Sequence, residues 1–137
     1  MIGYEEKALC RKIANVFELA GKKGYDVVSI TNSWIHSNTA LRIYNKDFNE
    51  IAQSPVYIFN SFKKEASLSK KNNDEDFNDL LFWLGYMITY IEFYKELSPE
   101  EISKKYDILR FAESYAVLQT LSAKRAAEEC EEEYKIM

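Results

Sequence analysis

FNDLLFWLGYMITYIEFYKEL spans residues 77–97 and decides the fold. One apolar stripe runs Phe77, Leu81, Leu84, Ile88, Ile91, in the steps of three and four that a helix makes. A second runs Trp83, Met87, Tyr90, Tyr94, Leu97, and a third takes Phe82, Tyr86 and Phe93. Together they cover most of the circumference, which marks a buried helix rather than a surface one. The uninterrupted apolar part, residues 80–91, is far short of the roughly 18 residues of a membrane span. Asp74, Glu75, Asp76 and Asp79 precede the run, where a helix dipole favours acids, and Glu92, Lys95 and Glu96 close it. The stretch reads as the core helix of a water-soluble bundle, or as one shared with a partner chain.

The rest of the chain fits around it. With 137 residues there is room for a proper core in one domain. Four glycines and two prolines leave few breakers, and no long Val/Ile alternation appears, so the chain reads as all-α. A compact bundle of about six helices is expected, as a single domain over 1–137. Its sub-halves, 1–66 and 75–137, are joined by the polar stretch ASLSKKNNDE at 66–75.

In order, a first helix is expected over 3–23, with Tyr4, Leu9, Ile13, Val16, Phe17 and Ala20 inward and a glycine at its end. Residues 25–44 carry β-branched side chains that also allow a strand. The spacing of Val27, Ile30 and Trp34 favours helix, started by Asp26 and restarted at Ser37-Asn38-Thr39. Residues 45–53 read as a loop with a turn near Phe48 and Ile51. Ser54-Pro55 opens a helix with Val56, Phe59 and Phe62 inward. Ser98-Pro99-Glu100-Glu101 is a capping box that starts a short helix over 99–106. One helix is expected over 107–121, and a last one from Ser122 ends in a fraying acidic run.

The net charge of −4 argues against nucleic acid as the main partner, because phosphate contacts need clustered Lys and Arg. Cys10 and Cys130 have neither metal-ligand nor redox spacing, which fits a reduced, cytoplasmic setting. The acidic start MIGYEEKALC lacks the pattern of a signal peptide. Nothing in the pattern calls for a cofactor, a metal or a small-molecule ligand. His36, the only histidine, reads as a helix-edge residue bonded to a backbone carbonyl. The acids at 74–79 lack the alternating oxygen ligands and central glycine of a calcium loop. Glu92 reads as an outward residue ending the apolar stripe; buried, it would need a partner such as Lys95 or a tyrosine hydroxyl. Lys63, Lys64, Lys70 and Lys71 read as a solubilising surface.

The aromatic share is the unusual feature: 15%, with ten tyrosines, eight phenylalanines and two tryptophans. Aromatics concentrate in interface cores. Phe82, Tyr86, Phe93, Tyr94, Trp34 and Tyr115 are therefore candidates for a face shared with a protein partner or a second copy of the chain.

Phe82, Tyr90-Ile91-Glu92, Tyr94, Ser98, Tyr106, Phe111, Tyr115, Leu118 and Thr120 resemble a family of short helical bacterial proteins of unknown function. Members are encoded beside ADP-ribosyltransferase-like toxins and are taken for antitoxin or accessory partners. In the family pattern a histidine often stands where this chain has Gln119. Trp34-Ile35-His36-Ser37, Thr39-Ala40, Tyr44 and Gln53-Ser54-Pro55 are similar to segments of proteins from the same gene neighbourhoods. The resemblance implies a non-enzymatic interaction module, an antitoxin acting by occlusion, and carries over no catalytic residue. The alternative is a small helical DNA-binding regulator that reads DNA with residues 39–44 or 99–106. An enzyme would need an unexpected convergence, such as Glu92 with His36.

Overall fold

The run at 77–97 forms a helix, and its packing against the first helix of the chain organises everything else. The computed structural model describes residues 2–72 and 75–136. Among these, ten helical segments follow in order. They are α1 (Tyr4–Lys22), α2 (Val27–Ile35), α3 (Asn38–Tyr44), α4 (Phe48–Ile51), α5 (Pro55–Glu65), α6 (Asn78–Lys95), α7 (Pro99–Lys105), α8 (Ile108–Glu113), α9 (Tyr115–Leu118) and α10 (Ala123–Glu133). The fold is all-α, with no strand among the described residues beyond two isolated bridges, Tyr25 with Lys70 and Tyr106 with Lys135. No helix among the described residues is long and apolar enough to cross a membrane.

α1 and α6 run antiparallel in close contact. Gly21 faces Asn78 and Leu81 at one end, and Gly85 faces Phe17 and Ile13 further along. Leu81, Leu84, Ile88 and Ile91 of the first stripe are all buried, as are Leu9, Ile13, Val16, Phe17 and Ala20 of α1. α5 lies on α1, α10 on α6, and α7 against α2 and α3. Trp34 sits in the middle, edge-on to Phe17 at 5.7 Å and to Phe62 at 5.2 Å. Residues from both sequence halves enter this one core.

Seven short polar side chains start helices: Asp26, Ser37, Asp47, Ser54, Ser98, Asp107 and Ser122 each accept a bond from a backbone N–H of the helix that follows. The Ser98 capping box is complete, with Glu101 N–H donating to Ser98 Oγ at 3.2 Å and Ser98 N–H to Glu101 Oε1 at 3.0 Å. α1 ends as expected, with Gly24 at φ +91° and the N–H groups of Gly24 and Tyr25 turned back onto the carbonyls of Gly21 and Ala20.

The expected all-α bundle around a buried central helix is present, in ten short segments among the described residues rather than about six. Some local expectations are corrected. The stretch 107–121 splits into α8 and α9 at Ser114, which leaves the helical path while its Oγ bonds Tyr134 Oη at 2.6 Å. Tyr4 and Val56 face water, 84% and 57% exposed. Tyr4 is five positions before Leu9, about 140° away round the helix, and Val56 is turned by more than about 100° from the face centred between Ile58 and Phe62.

The polar stretch at 66–75, of which 73 and 74 lie outside the described residues, is strapped down rather than slack. Asp26 N–H donates to Ser69 O and Lys71 N–H to Gly24 O, both at 2.9 Å, and Ser69 N–H donates to Ser29 Oγ at 3.0 Å. The tail does not fray either. Asp107 N–H donates to Tyr134 O at 2.7 Å and Ile136 N–H to Lys105 O at 2.8 Å, while Glu131 pairs with Lys105 and Lys135.

Candidate functional site

The last turns of α6 carry the least expected side chain. Glu92 follows Ile88 by four positions and Gly85 by seven, so it lies on the face that packs on α1. Cys10 of α1 is close enough for the Glu92 charge to act on its thiol. Glu92 is 2% exposed, and its Oε2 is buried with no hydrogen-bond partner. The reading of Glu92 as an outward residue is thus corrected. Neither proposed partner reaches it: Lys95 lies over the Tyr94 ring at 5.4 Å instead. Burial drives the Glu92 carboxyl well above the usual carboxylate range, because desolvation penalises the charged form. A buried polar group without a bond costs on the order of 1–3 kcal/mol in proteins.

Glu92 lines a surface cavity of about 310 Å³ together with Glu6, Tyr44, Lys46, Phe93 and Glu96. Tyr44 at the end of α3 and Phe93 form one wall, stacked at 6.0 Å with an interplanar angle of 16°. Lys46 lies across it: its Nζ is 2.9 Å from Glu6 Oε2 and 5.3 Å from the Phe93 ring centroid. The Lys46 hydrogen bond holds the Glu6 carboxyl below its usual range. The Tyr44 hydroxyl is pushed up by burial and then by the negative charges of Glu101, Glu92 and Glu96.

The backbone is unusual here as well. Among the described residues, two non-glycine residues adopt left-handed φ, Lys46 at +55° and Glu96 at +54°, and both border this cavity. Such conformations cost on the order of 1–2 kcal/mol each and collect at functional positions. Among the described residues no three His, Cys, Asp or Glu side chains converge to hold a metal ion, Glu6, Glu92 and Glu96 included.

The six aromatics singled out in the sequence divide. Trp34, 1% exposed, is wholly interior and offers no surface. Phe93, 9% exposed, is the cavity wall. Phe82, Tyr86, Tyr94 and Tyr115 are half-buried at the surface. Along α6 Tyr86 stacks on Tyr90 at 6.3 Å and Tyr90 meets Tyr94 at a tilt at 5.6 Å, and Tyr115 meets Trp83 edge-on at 5.4 Å. Around the other end of α6, Val28, Phe77, Leu80 and Leu109 line an open apolar groove of about 630 Å³, rimmed by Asp26, Lys71 and Glu113.

His36 is exposed at the end of α2 and makes no side-chain hydrogen bond among the described residues, so its expected carbonyl bond does not form. It lines a cleft with Ser98 and Pro99, separate from the cavity of Glu92. Of the basic residues at 63–71, Lys63 and Lys70 lie over the Tyr25 ring, at 6.0 and 4.1 Å. Sequence reasoning missed Glu6, Tyr44, Lys46 and Glu96 as a group. The readable signal was the seven-residue step from Gly85 to Glu92, which places a carboxylate on the face toward α1. No family model, curated protein or solved structure matches the chain.

Proposed function

We propose that this chain is a non-enzymatic protein-interaction module of the cytoplasm, the antitoxin or neutralising partner of a bacterial toxin. It acts by occlusion, covering the toxin's working surface with its own. The observation that carries this reading is the set of aromatics left at the surface around α6 after the core is full. Phe82, Tyr86, Tyr94 and Tyr115 stay half-exposed, beside a core that already encloses Phe17, Phe59, Phe62 and Phe111. Half-exposed aromatics supply large, rigid contact area, and interface cores are enriched in them. The apolar groove bounded by Val28, Leu80 and Leu109 adds support, as does the resemblance carried by residues 82–120.

Co-expression with the product of the neighbouring gene, followed by pull-down and a growth-rescue assay, tests the reading. A stable complex and relief of toxicity are expected. Both should be weakened in Phe82→Ser and Tyr94→Ser variants that keep the helical circular-dichroism signal. Absence of both complex and rescue rejects it.

A further inference from the structure

The end of α1, the last turn of α5 and the strapped segment after it bring three lysines to one pair of rings. Lys70 Nζ lies 4.1 Å from the centre of the Tyr25 ring and Lys63 Nζ 6.0 Å from it, while Lys23 Nζ lies 5.8 Å from the centre of Phe59. The two rings are 6.5 Å apart. All three lysines are exposed. Among the described residues none of them has a carboxylate partner, whereas Lys22, Lys46, Lys104, Lys105 and Lys135 each pair with a glutamate. The acids nearest in sequence are committed elsewhere. Asp26 accepts the Ser29 N–H at 2.8 Å, and Glu65 accepts the N–H groups of Asn38 and Thr39 at 2.7 and 3.0 Å.

Like charges gathered in this way repel one another, and an incoming anion removes that cost. The rings hold the ammonium groups in place, and Lys70 Nζ is fixed further by a 2.7 Å bond to Lys23 O. Side chains ordered beforehand lose less freedom when a ligand arrives. The rings themselves are not free to stack on a base, because Phe59 is 1% exposed and Tyr25 is covered by Lys70. The start of α6, which carries Asp76 and Asp79, abuts the end of α1 at Gly21, so negative charge borders the lysines on that side and disfavours a long polyphosphate. On the other side the patch passes into the apolar groove. Lys71 N–H donates to Gly24 O at 2.9 Å, and Lys71 borders that groove with Val28 and Leu80. Positive charge beside an apolar slot suits a peptide that carries carboxylates and an apolar side chain together.

We infer that Lys23, Lys63 and Lys70 form a docking surface for a short acidic segment of the partner protein, whose adjoining apolar side chain enters the groove beside Lys71. The choice of a partner protein rests on the interaction reading above; the anion chemistry of the patch does not.

The test uses the full chain and a fluorescein-labelled peptide of four glutamates followed by two leucines, read by fluorescence anisotropy. Saturable binding that weakens as salt is raised is expected. It should weaken about fivefold or more in Lys23→Gln/Lys63→Gln, the loss of two exposed ion pairs. Neither of these side chains makes a hydrogen bond or ion pair among the described residues, and the fold of the variant is checked by circular dichroism. Lys7→Gln/Lys124→Gln changes the net charge equally and should bind as the natural chain does. A peptide of glutamates alone should bind more weakly; equal binding removes the groove from the site.

Anisotropy indifferent to the peptide, or an equal loss in the two double variants, overturns the patch. Displacement of the peptide by a thymidine oligonucleotide more readily than by unlabelled peptide overturns the peptide assignment in favour of nucleic acid, and displacement as readily by inorganic phosphate does so in favour of a free phosphate. In the complex with the toxin, weaker association of Lys23→Gln/Lys63→Gln, and competition by the peptide, support a partner segment as the occupant. A complex indifferent to Lys23→Gln/Lys63→Gln, with the peptide still binding, overturns that assignment and leaves the interaction reading intact. Peptide binding with no complex at all rejects the interaction reading and leaves the chemistry of the patch standing.

Discussion

Gly85 of α6 lies so close to Phe17 of α1 that a Cβ at position 85 would sit 2.8 Å from Phe17 Cγ and 2.9 Å from the carbonyl oxygen of Ile13. The hydrogen at this position is what lets the two helices approach. The contact lies in the middle of the α1–α6 packing, with backbone on one side and a fully buried ring on the other. Neither neighbour can yield easily.

Gly85→Ala should therefore destabilise the fold, although alanine is the better helix former by about 1 kcal/mol. Overpacking costs typically about 1–3 kcal/mol, so a net loss on the order of 1–2 kcal/mol is expected. Urea unfolding followed by circular dichroism measures it. An unchanged or raised midpoint would contradict the tight approach.

Glu92 predicts a pH dependence of defined sign. In the unfolded chain its carboxyl titrates near about 4.3, whereas burial raises it well above that in the fold. Between those two values the folded state holds the extra proton, so its contribution to stability is complete below the ordinary carboxyl range. It is then lost as pH rises toward the folded value. Glu6, Tyr44, Lys46 and Glu96 line the same cavity as Glu92, and Cys10 of α1 lies near its carboxyl. Relative to Glu92→Gln, the natural chain should lose stability with rising pH, by at most about 1.4 kcal/mol per unit. Paired urea titrations from pH 4 upward test this, since the other carboxylates cancel in the difference. A flat difference would show that the Glu92 carboxyl titrates as if exposed.

Glu96 ends α6 with a left-handed backbone, φ +54°. Glycine has no steric penalty there. Glu96→Gly should raise the unfolding free energy by on the order of 1 kcal/mol, read as a higher melting temperature. A variant less stable than the natural chain would mean that Glu96 contributes more through its carboxylate than its backbone costs.

Both cysteines are buried, and burial pushes each thiol up to about 12. Thiolate is the reactive form. Neither should react measurably with a disulfide reagent at pH 8 in the native state, and both should react once urea unfolds the chain. Rapid labelling of either in the folded protein would show that α1 or α10 opens locally.

The parts legible in the sequence were those governed by local chemistry. Asp26, Ser37, Ser54, Ser98 and Ser122 all read as helix starts, because an N-cap needs only a short polar side chain and the backbone that follows it. The apolar stripes of 77–97 identified the central helix because a buried cylinder is apolar on every side. What escaped depended on neighbours distant in sequence. The burial of Glu92 follows from α1 passing over that face, yet its charge made it look like a terminator. Ser114 interrupts a periodic stretch because Tyr134, twenty positions on, holds its hydroxyl. The strap at 67–71 makes most of its bonds through its backbone, which every residue carries, so its composition looked like that of a slack connector. The cavity combines residues from α1, from the turn after α3 and from α6, and no window of sequence contains all three.

The antiparallel seating of α1 on α6 also has a consequence for how the chain comes off the ribosome. α1 is made first, and its apolar face, Leu9 to Ala20, is closed mainly by a helix that is not complete until residue 95. For most of synthesis the leading helix has no seat, and residues 1–66 alone leave that face open. Pairing of segments so far apart is slow and leaves apolar surface exposed while it waits. A nascent chain halted before α6 is therefore a sticky fragment rather than a folded half. The protein becomes itself late, when Gly85 reaches Phe17.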